Sequence, residues 1–189
     1  MLEGQTRNLT IKNNILLTYL GINVYTSSNL RIENNTFVSS LAFTQWWPRG
    51  VRLVSSPGAV VQNNIFVDVG ATGCAYLEAD SASQSGLKAG HNLVWMSDGR
   101  KPPGSPRSND LWNVDPQFVD RAADNYHVKT GSRAIDSGIA LAHITNDYDG
   151  HPRPMGAGWD RGAHEIESAV SAAPVGNRVL MSLIVKRSR

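Results

Sequence analysis

The chain has 189 residues, 41% of them hydrophobic, and a formal net charge of +2. That length suffices for one sizeable core, and a charge so near neutral, without a Lys-rich block, gives no reason to expect nucleic acid or a membrane surface as partner. The single cysteine, Cys74, excludes an internal disulfide, and its place in a strand-like phrase marks it as a core thiol.

One phrase recurs through the first half. Ile11-Lys12-Asn13-Asn14-Ile15-Leu16 is followed by Ile32-Glu33-Asn34-Asn35-Thr36-Phe37 and by Val61-Gln62-Asn63-Asn64-Ile65-Phe66, and a fainter fourth copy ends at His91-Asn92-Leu93-Val94. From Asn14 to Asn35, Asn64 and Asn92 the steps are 21, 29 and 28 residues. A period in the twenties marks stacked repeats. Apolar residues alternate with polar ones on both sides of the Asn pair, which reads as strand, sharp bend, strand, because Asn tolerates the left-handed backbone region.

Upstream of the later copies stand Gly21-Ile22-Asn23-Val24-Tyr25, Gly50-Val51-Arg52-Leu53-Val54 and Gly73-Cys74-Ala75-Tyr76-Leu77. Each unit is therefore expected to hold about three short strands, and stacking adds one strand per unit to each of several parallel sheets about 4.8 Å apart. Ile22, Val51 and Cys74 are expected to form one interior column, with Val24, Leu53 and Tyr76 as a second. Asn23, Tyr25, Arg52 and Val54 then point outward, followed by Ala75 and Leu77 with Glu78 close by. The Asn side chains should bond one another from unit to unit, satisfying groups that would otherwise cost roughly 1–3 kcal/mol each.

The period and the Asn bends together resemble the right-handed parallel β-helix superfamily typified by pectate lyases, over about residues 8–96. The fold expected is all-β, a parallel β-helix of a few coils with an irregular closing segment. No atypical capping unit precedes the first repeat. The chain is therefore expected to be a piece of a longer protein, or to pair its open edge with missing N-terminal coils or with a second copy.

The repeat is read as ending at Trp95, giving coils over 1–98 and a Pro/Gly-rich loop over 99–111. Residues 112–166 form a closing segment. It carries Asp115-Pro116-Gln117-Phe118-Val119-Asp120, Gly131-Ser132-Arg133-Ala134-Ile135-Asp136-Ser137-Gly138, Asp147-Tyr148-Asp149-Gly150-His151-Pro152-Arg153 and Asp160-Arg161-Gly162-Ala163-His164-Glu165. This block resembles the C-terminal segment of secreted bacterial β-helix proteins. It differs at Arg133, where Pro is usual, and at His164, where an aromatic is usual. The resemblance implies that it closes the last coils and that the protein is secreted or held at a cell surface. Residues 167–189 read as linker and tail.

Asp115, Asp136, Asp147 and Asp160 are expected to hold turns through backbone N–H groups. Asp147-x-Asp149-Gly150 lacks the further acids of a calcium loop, and His127, His143, His151 and His164 show no ligand spacing. No metal site or cofactor is expected from the residues, and calcium enters only through the resemblance.

Elimination at a uronate needs a base and a group that neutralises the carboxylate. Arg52, the outward basic residue of the strand columns, and Glu78 are the catalytic candidates, although Glu33, Asp68, Glu78 and Asp80 fall on different turns. Hydrolysis needs two carboxylates about 5–9 Å apart, and no paired-acid phrase is present. Trp46, Trp47 and Arg49, on an insertion that lengthens the second unit, suit stacking and ion pairing with an acidic sugar, with Tyr25 nearby. The expected partner is thus a polysaccharide. Two functions remain open: a lyase-like enzyme on acidic polysaccharide, or a non-catalytic carbohydrate-binding, adhesion or structural solenoid.

Overall fold

The computed structural model describes residues 6–17, 21–40, 49–70 and 74–166. The described chain is built almost wholly of short strands, with one helical turn at Ser81–Gln84. Three parallel sheets dominate. Sheet I contains Thr10–Lys12, Arg31–Glu33, Val60–Gln62 and Lys88–Gly90; sheet II contains Ile15–Leu17, Thr36–Val38, Ile65–Val67, Leu93–Trp95 and Leu111–Trp112; sheet III contains Ile22–Tyr25, Val51–Val54 and Leu77–Ala79. The chain visits I, II and III in turn, three times over, and then I and II again, so neighbours in a sheet come from successive repeats.

The Asn pairs make the corner between sheets I and II, and the two members do different work. Asn13, Asn34 and Asn63 take the left-handed conformation, with φ of 54°, 52° and 56°, and His91 takes it at 54°. The second Asn turns inward. Asn35 Oδ1 accepts from the backbone N of Asn14 at 3.0 Å and from its Nδ2 at 2.9 Å. Asn64 repeats this for Asn35, and Asn92 for Asn64, at 2.9–3.0 Å. Each amide is therefore both donor and acceptor in one buried ladder, which leaves no corner N–H without a partner.

That ladder extends one step further than the sequence reading placed it. Asp110 Oδ1 accepts from Asn92 N at 2.8 Å, Asn109 before it has φ of 57°, and Leu111–Trp112 pairs with Leu93 and Val94. The repeat thus continues past Trp95 to Trp112. Asp110 replaces the second Asn because a terminal rung needs only to accept.

Apolar columns fill the space between the sheets. Phe37 and Phe66 stack with ring centroids 4.7 Å apart, Tyr76 packs on Phe66, and Trp112 packs edge-on against Tyr76. Ile32, Val61, Val24 and Leu53 are fully enclosed around them.

Sheet III corrects the expected register of its third strand. Leu77, rather than Cys74, pairs with Val51, and Ala79, rather than Tyr76, pairs with Leu53. Leu77 therefore faces the core and Glu78 faces out. The three-residue shift has a physical cause: Tyr76 swings inward onto Phe66, and its hydroxyl donates to Asp110 Oδ2 at 2.6 Å. Close approach of the passes also demands glycine, since a Cβ at Gly50 would meet the carbonyl oxygen of Tyr76 at 2.4 Å.

The C-terminal segment contributes an irregular antiparallel pair, Phe118–Asp120 with Asn125–Val128, followed by turns. It lies along the corner, where the outward first Asn of each pair receives it. Asn13 donates to the carbonyl of Asn146 at 2.5 Å, Asn34 to that of Asp160 at 2.9 Å, and Asn63 to that of Ile139 at 2.8 Å. Arg161 reaches the carbonyl of Asn92 at 2.6 Å. One Asn column therefore joins the passes to one another, and the other fastens the C-terminal segment across them.

Candidate functional site

Strand alternation puts Asn23, Arg52 and Glu78 in register on the outer side of sheet III. Arg52 sits between its two neighbours. Its Nη1 donates to the Tyr25 hydroxyl at 3.0 Å, its guanidinium carbon stands 5.9 Å from the Tyr25 ring centre, and its Nε is 3.8 Å from Glu78 Oε2. Arg49 approaches the same carboxylate oxygen, with Nε at 3.0 Å, as an ion pair rather than a well-aligned hydrogen bond. Four of the residues singled out from sequence, Tyr25, Arg49, Arg52 and Glu78, thus form one cluster. Trp46 and Trp47 lie outside the described residues.

The cluster carries two guanidiniums and one carboxylate, so its local balance is positive. Arg52 is 39% exposed and Glu78 29%, which leaves both reachable by a ligand. Cys74 borders the cluster. Burial pushes its thiol up, Arg49 pulls partly the other way, and Glu78 adds to the rise, which disfavours the thiolate.

The remaining acids named from sequence are committed elsewhere. Glu33 is buried between Arg31 at 2.8 Å and His143 at 2.7 Å, and Asp68 holds Arg121 at 2.6 Å and Ser97. Asp80 caps the helical turn by accepting from Ser83 N at 2.8 Å, and its other oxygen takes Ser55 N at 3.0 Å. Hydrogen bonds from Ser83 and Ser55 hold its carboxyl below the usual carboxylate range. Glu33 and Asp68 are engaged away from Arg52, and Asp80, which feels the Arg52 charge, has both oxygens taken by backbone N–H groups.

A second group emerges in the C-terminal segment, where sequence spacing had suggested no metal. His127 Nε2 and His164 Nδ1 each lie 2.8 Å from the same Oδ2 of Asp149. The two imidazoles stack, with centroids 3.8 Å apart. Asp149 is depressed to about 2, chiefly by the hydrogen bond from His164 and against the opposing effect of its own burial. Burial lowers His164 below the ordinary histidine value despite its bond to Asp149. Neighbouring Asp147 is different, because its two oxygens accept the backbone N–H groups of Asp149, His151 and Glu165 at 2.8–2.9 Å. It holds the turn, as Asp115, Asp136 and Asp160 hold theirs.

Linear spacing could not reveal this group, since its members stand 22 and 15 residues apart, His127 on a strand and the other two beyond it. The available signal was compositional: four of the five histidines fall between His127 and His164. Comparison with protein-family models, with curated proteins and with solved structures finds no match to this chain.

Proposed function

We propose that the chain is part of a right-handed parallel β-helix protein, secreted or displayed at a cell surface, that binds acidic polysaccharide along the outer face of sheet III. The helical path is supported by the cyclic order of the sheets and the unbroken Asn ladder. Its hand follows from the general rule that parallel crossovers are right-handed in about 98% of cases. The carrying observation for function is the outward Tyr25–Arg52–Glu78–Arg49 cluster, in which guanidinium donors stand beside an aromatic face. A uronate carboxylate displaces the weak 3.8 Å Arg52–Glu78 contact and takes a forked pair of N–H donors, while Tyr25 offers a surface to the ring.

Binding is favoured over elimination by the same geometry. Arginine keeps its proton in proteins, and Arg52 is placed as a donor to a hydroxyl. A lyase would also need acids gathered beside it to hold calcium, and the acids that sequence nominated are engaged in turns and ion pairs.

The test is titration calorimetry with polygalacturonate and with an uncharged glucan, at low and high salt. Selective, salt-weakened binding that Arg52→Ala reduces about tenfold supports the reading. Equal affinity for both polymers, or none for either, overturns it. Ultraviolet absorbance from unsaturated uronate in the same mixtures would replace binding by lyase chemistry.

A further inference from the structure

We propose that His127, Asp149 and His164 form a binding site for a divalent transition-metal ion, zinc foremost, with a coordination position left toward solvent. The site is independent of the glycan-binding reading and lies on a different part of the chain.

Convergence is the first argument. One carboxylate oxygen and two ring nitrogens, from the strand Asn125–Val128 and two later stretches of the segment, come within 4.8 Å of one another, and each nitrogen is 2.8 Å from the oxygen. A zinc ion about 2.1 Å from each donor needs roughly 3.0–3.4 Å between donors, so the trio has only to open by a few tenths of an ångström.

The tautomer of His127 is the second. Its Nδ1 is 2.8 Å from Asn125 Oδ1, and that oxygen also takes the backbone N–H of His127 at 3.2 Å. The amide oxygen therefore faces the ring, and Nδ1 carries the proton. Nε2 is thus the nitrogen aimed at Asp149 Oδ2, and a zinc ion entering there takes the place of the proton that otherwise bridges the two atoms. An outer hydrogen bond that fixes the ring and leaves the opposite nitrogen bare is the support a ligating histidine has in metal sites.

His164 supplies the third argument. It is 5% exposed, and its Nε2 is buried without a hydrogen-bond partner. Its ring is held by stacking on that of His127, so Nδ1 stays aimed at Asp149 Oδ2. Zinc binding through Nδ1 displaces the proton shared with Asp149 and leaves the remaining ring proton on Nε2.

Asp149 is also unlike the other acids of its segment. Among the described residues its side chain accepts from the two imidazoles and from no backbone N–H, whereas Asp147 is saturated by the turn. Two nitrogens and one oxygen suit zinc, nickel or cobalt, and they disfavour calcium and magnesium, which take oxygen ligands. The side chains of His127 and Asp149 are 33% and 23% exposed, so water or a ligand group can complete the shell from outside.

The test uses the full chain after chelator treatment and dialysis. Zinc is titrated against a chromogenic chelator, and cobalt is added separately for its visible spectrum. Expected are a single zinc per chain, a rise in melting temperature on loading, and a cobalt spectrum with nitrogen-ligand intensity. Asp149→Asn and His127→Ala weaken zinc about tenfold or more, Asn125→Ala weakens it about tenfold by freeing the ring, and His151→Ala leaves affinity within about twofold. No uptake at about 100 µM free zinc overturns the proposal. So does uptake that Asp149→Asn and His127→Ala leave unchanged. Should those variants fail to fold, nitrogen-15 spectra of the wild-type imidazoles decide: a zinc-induced shift at His127 Nε2 and His164 Nδ1 sustains the site, and unchanged signals overturn it.

Discussion

The asparagine-cornered passes and the C-terminal segment satisfy their backbones by opposite strategies. In the passes each polar corner leans on an identical corner one repeat away, so the same two bonds recur from Asn14 to Asn92. In the segment the carboxylates have separate assignments: Asp136 to Gly158, Asp147 to Asp149, His151 and the distant Glu165, Asp160 to Asp136 and Ile166. Repetition spreads a defect over neighbouring rungs that can adjust. Singular contacts concentrate it. The segment also buries an ion pair, Arg153 with Glu165, both side chains fully enclosed.

The sharpest way to break that contrast is Arg153→Met. It leaves Glu165 as an unpaired buried charge and removes the donors to the carbonyls of Asp160, Gly162 and Ala163. The expected loss is about 3–5 kcal/mol in urea unfolding, and Arg153→Met with Glu165→Leu should recover part of it. In the ladder, Asn64→Ala strands the backbone N–H and amide of Asn35 and the acceptors at Ile32, Gln62 and Asn92. About 3 kcal/mol is expected, against about 1 kcal/mol for Asn14→Ala at the more exposed first rung. Equal losses at the two positions would mean that the ladder is not cooperative.

A pH scan separates the regions further. Burial raises Asp160 to about 6, with Glu165 and Asp136 adding to the rise and backbone bonds opposing it. The unfolded value is about 3.9. Between the two the folded chain holds a proton that the unfolded chain releases, so this contribution is complete below about pH 4 and disappears as pH rises through about 6. The difference in unfolding free energy between wild type and Asp160→Asn should therefore shrink by about 2–3 kcal/mol from pH 4 to pH 7. A difference that stays constant would remove the assignment.

How much could be read from sequence follows the same division. The Asn corners were legible because a left-handed bend between apolar pairs is written in adjacent residues, and Arg52 was placed outward by simple alternation. The third strand of sheet III was misplaced because Cys74-Ala75-Tyr76-Leu77 alternates as well in one register as another. What chooses is Tyr76 reaching Asp110, 34 residues away. The fifth rung escaped because Asp110 stands in for Asn after only 18 residues. The imidazole pair and Asp149 were illegible for a stronger reason: His127 lies in the strand Asn125–Val128, Asp149 and His164 lie in separate later stretches, and tertiary contact rather than any local pattern brings them together.

The smallest expected effect tests whether the outer face of sheet III is built for stability or for a ligand. Tyr25→Phe keeps the ring under Arg52 and deletes only the hydroxyl that accepts from its Nη1. Because Arg52 is partly exposed, water replaces the lost acceptor, and the stability change should stay within about 0.5 kcal/mol. Freed of that restraint, the guanidinium wanders, and ordering it on a carboxylate ligand costs more entropy. Affinity for an acidic polymer should then fall about two- to threefold with the melting temperature unmoved. A fall in melting temperature with affinity unchanged would instead make the Tyr25–Arg52 contact a strut between adjacent strands, and the face would have to be read as structural.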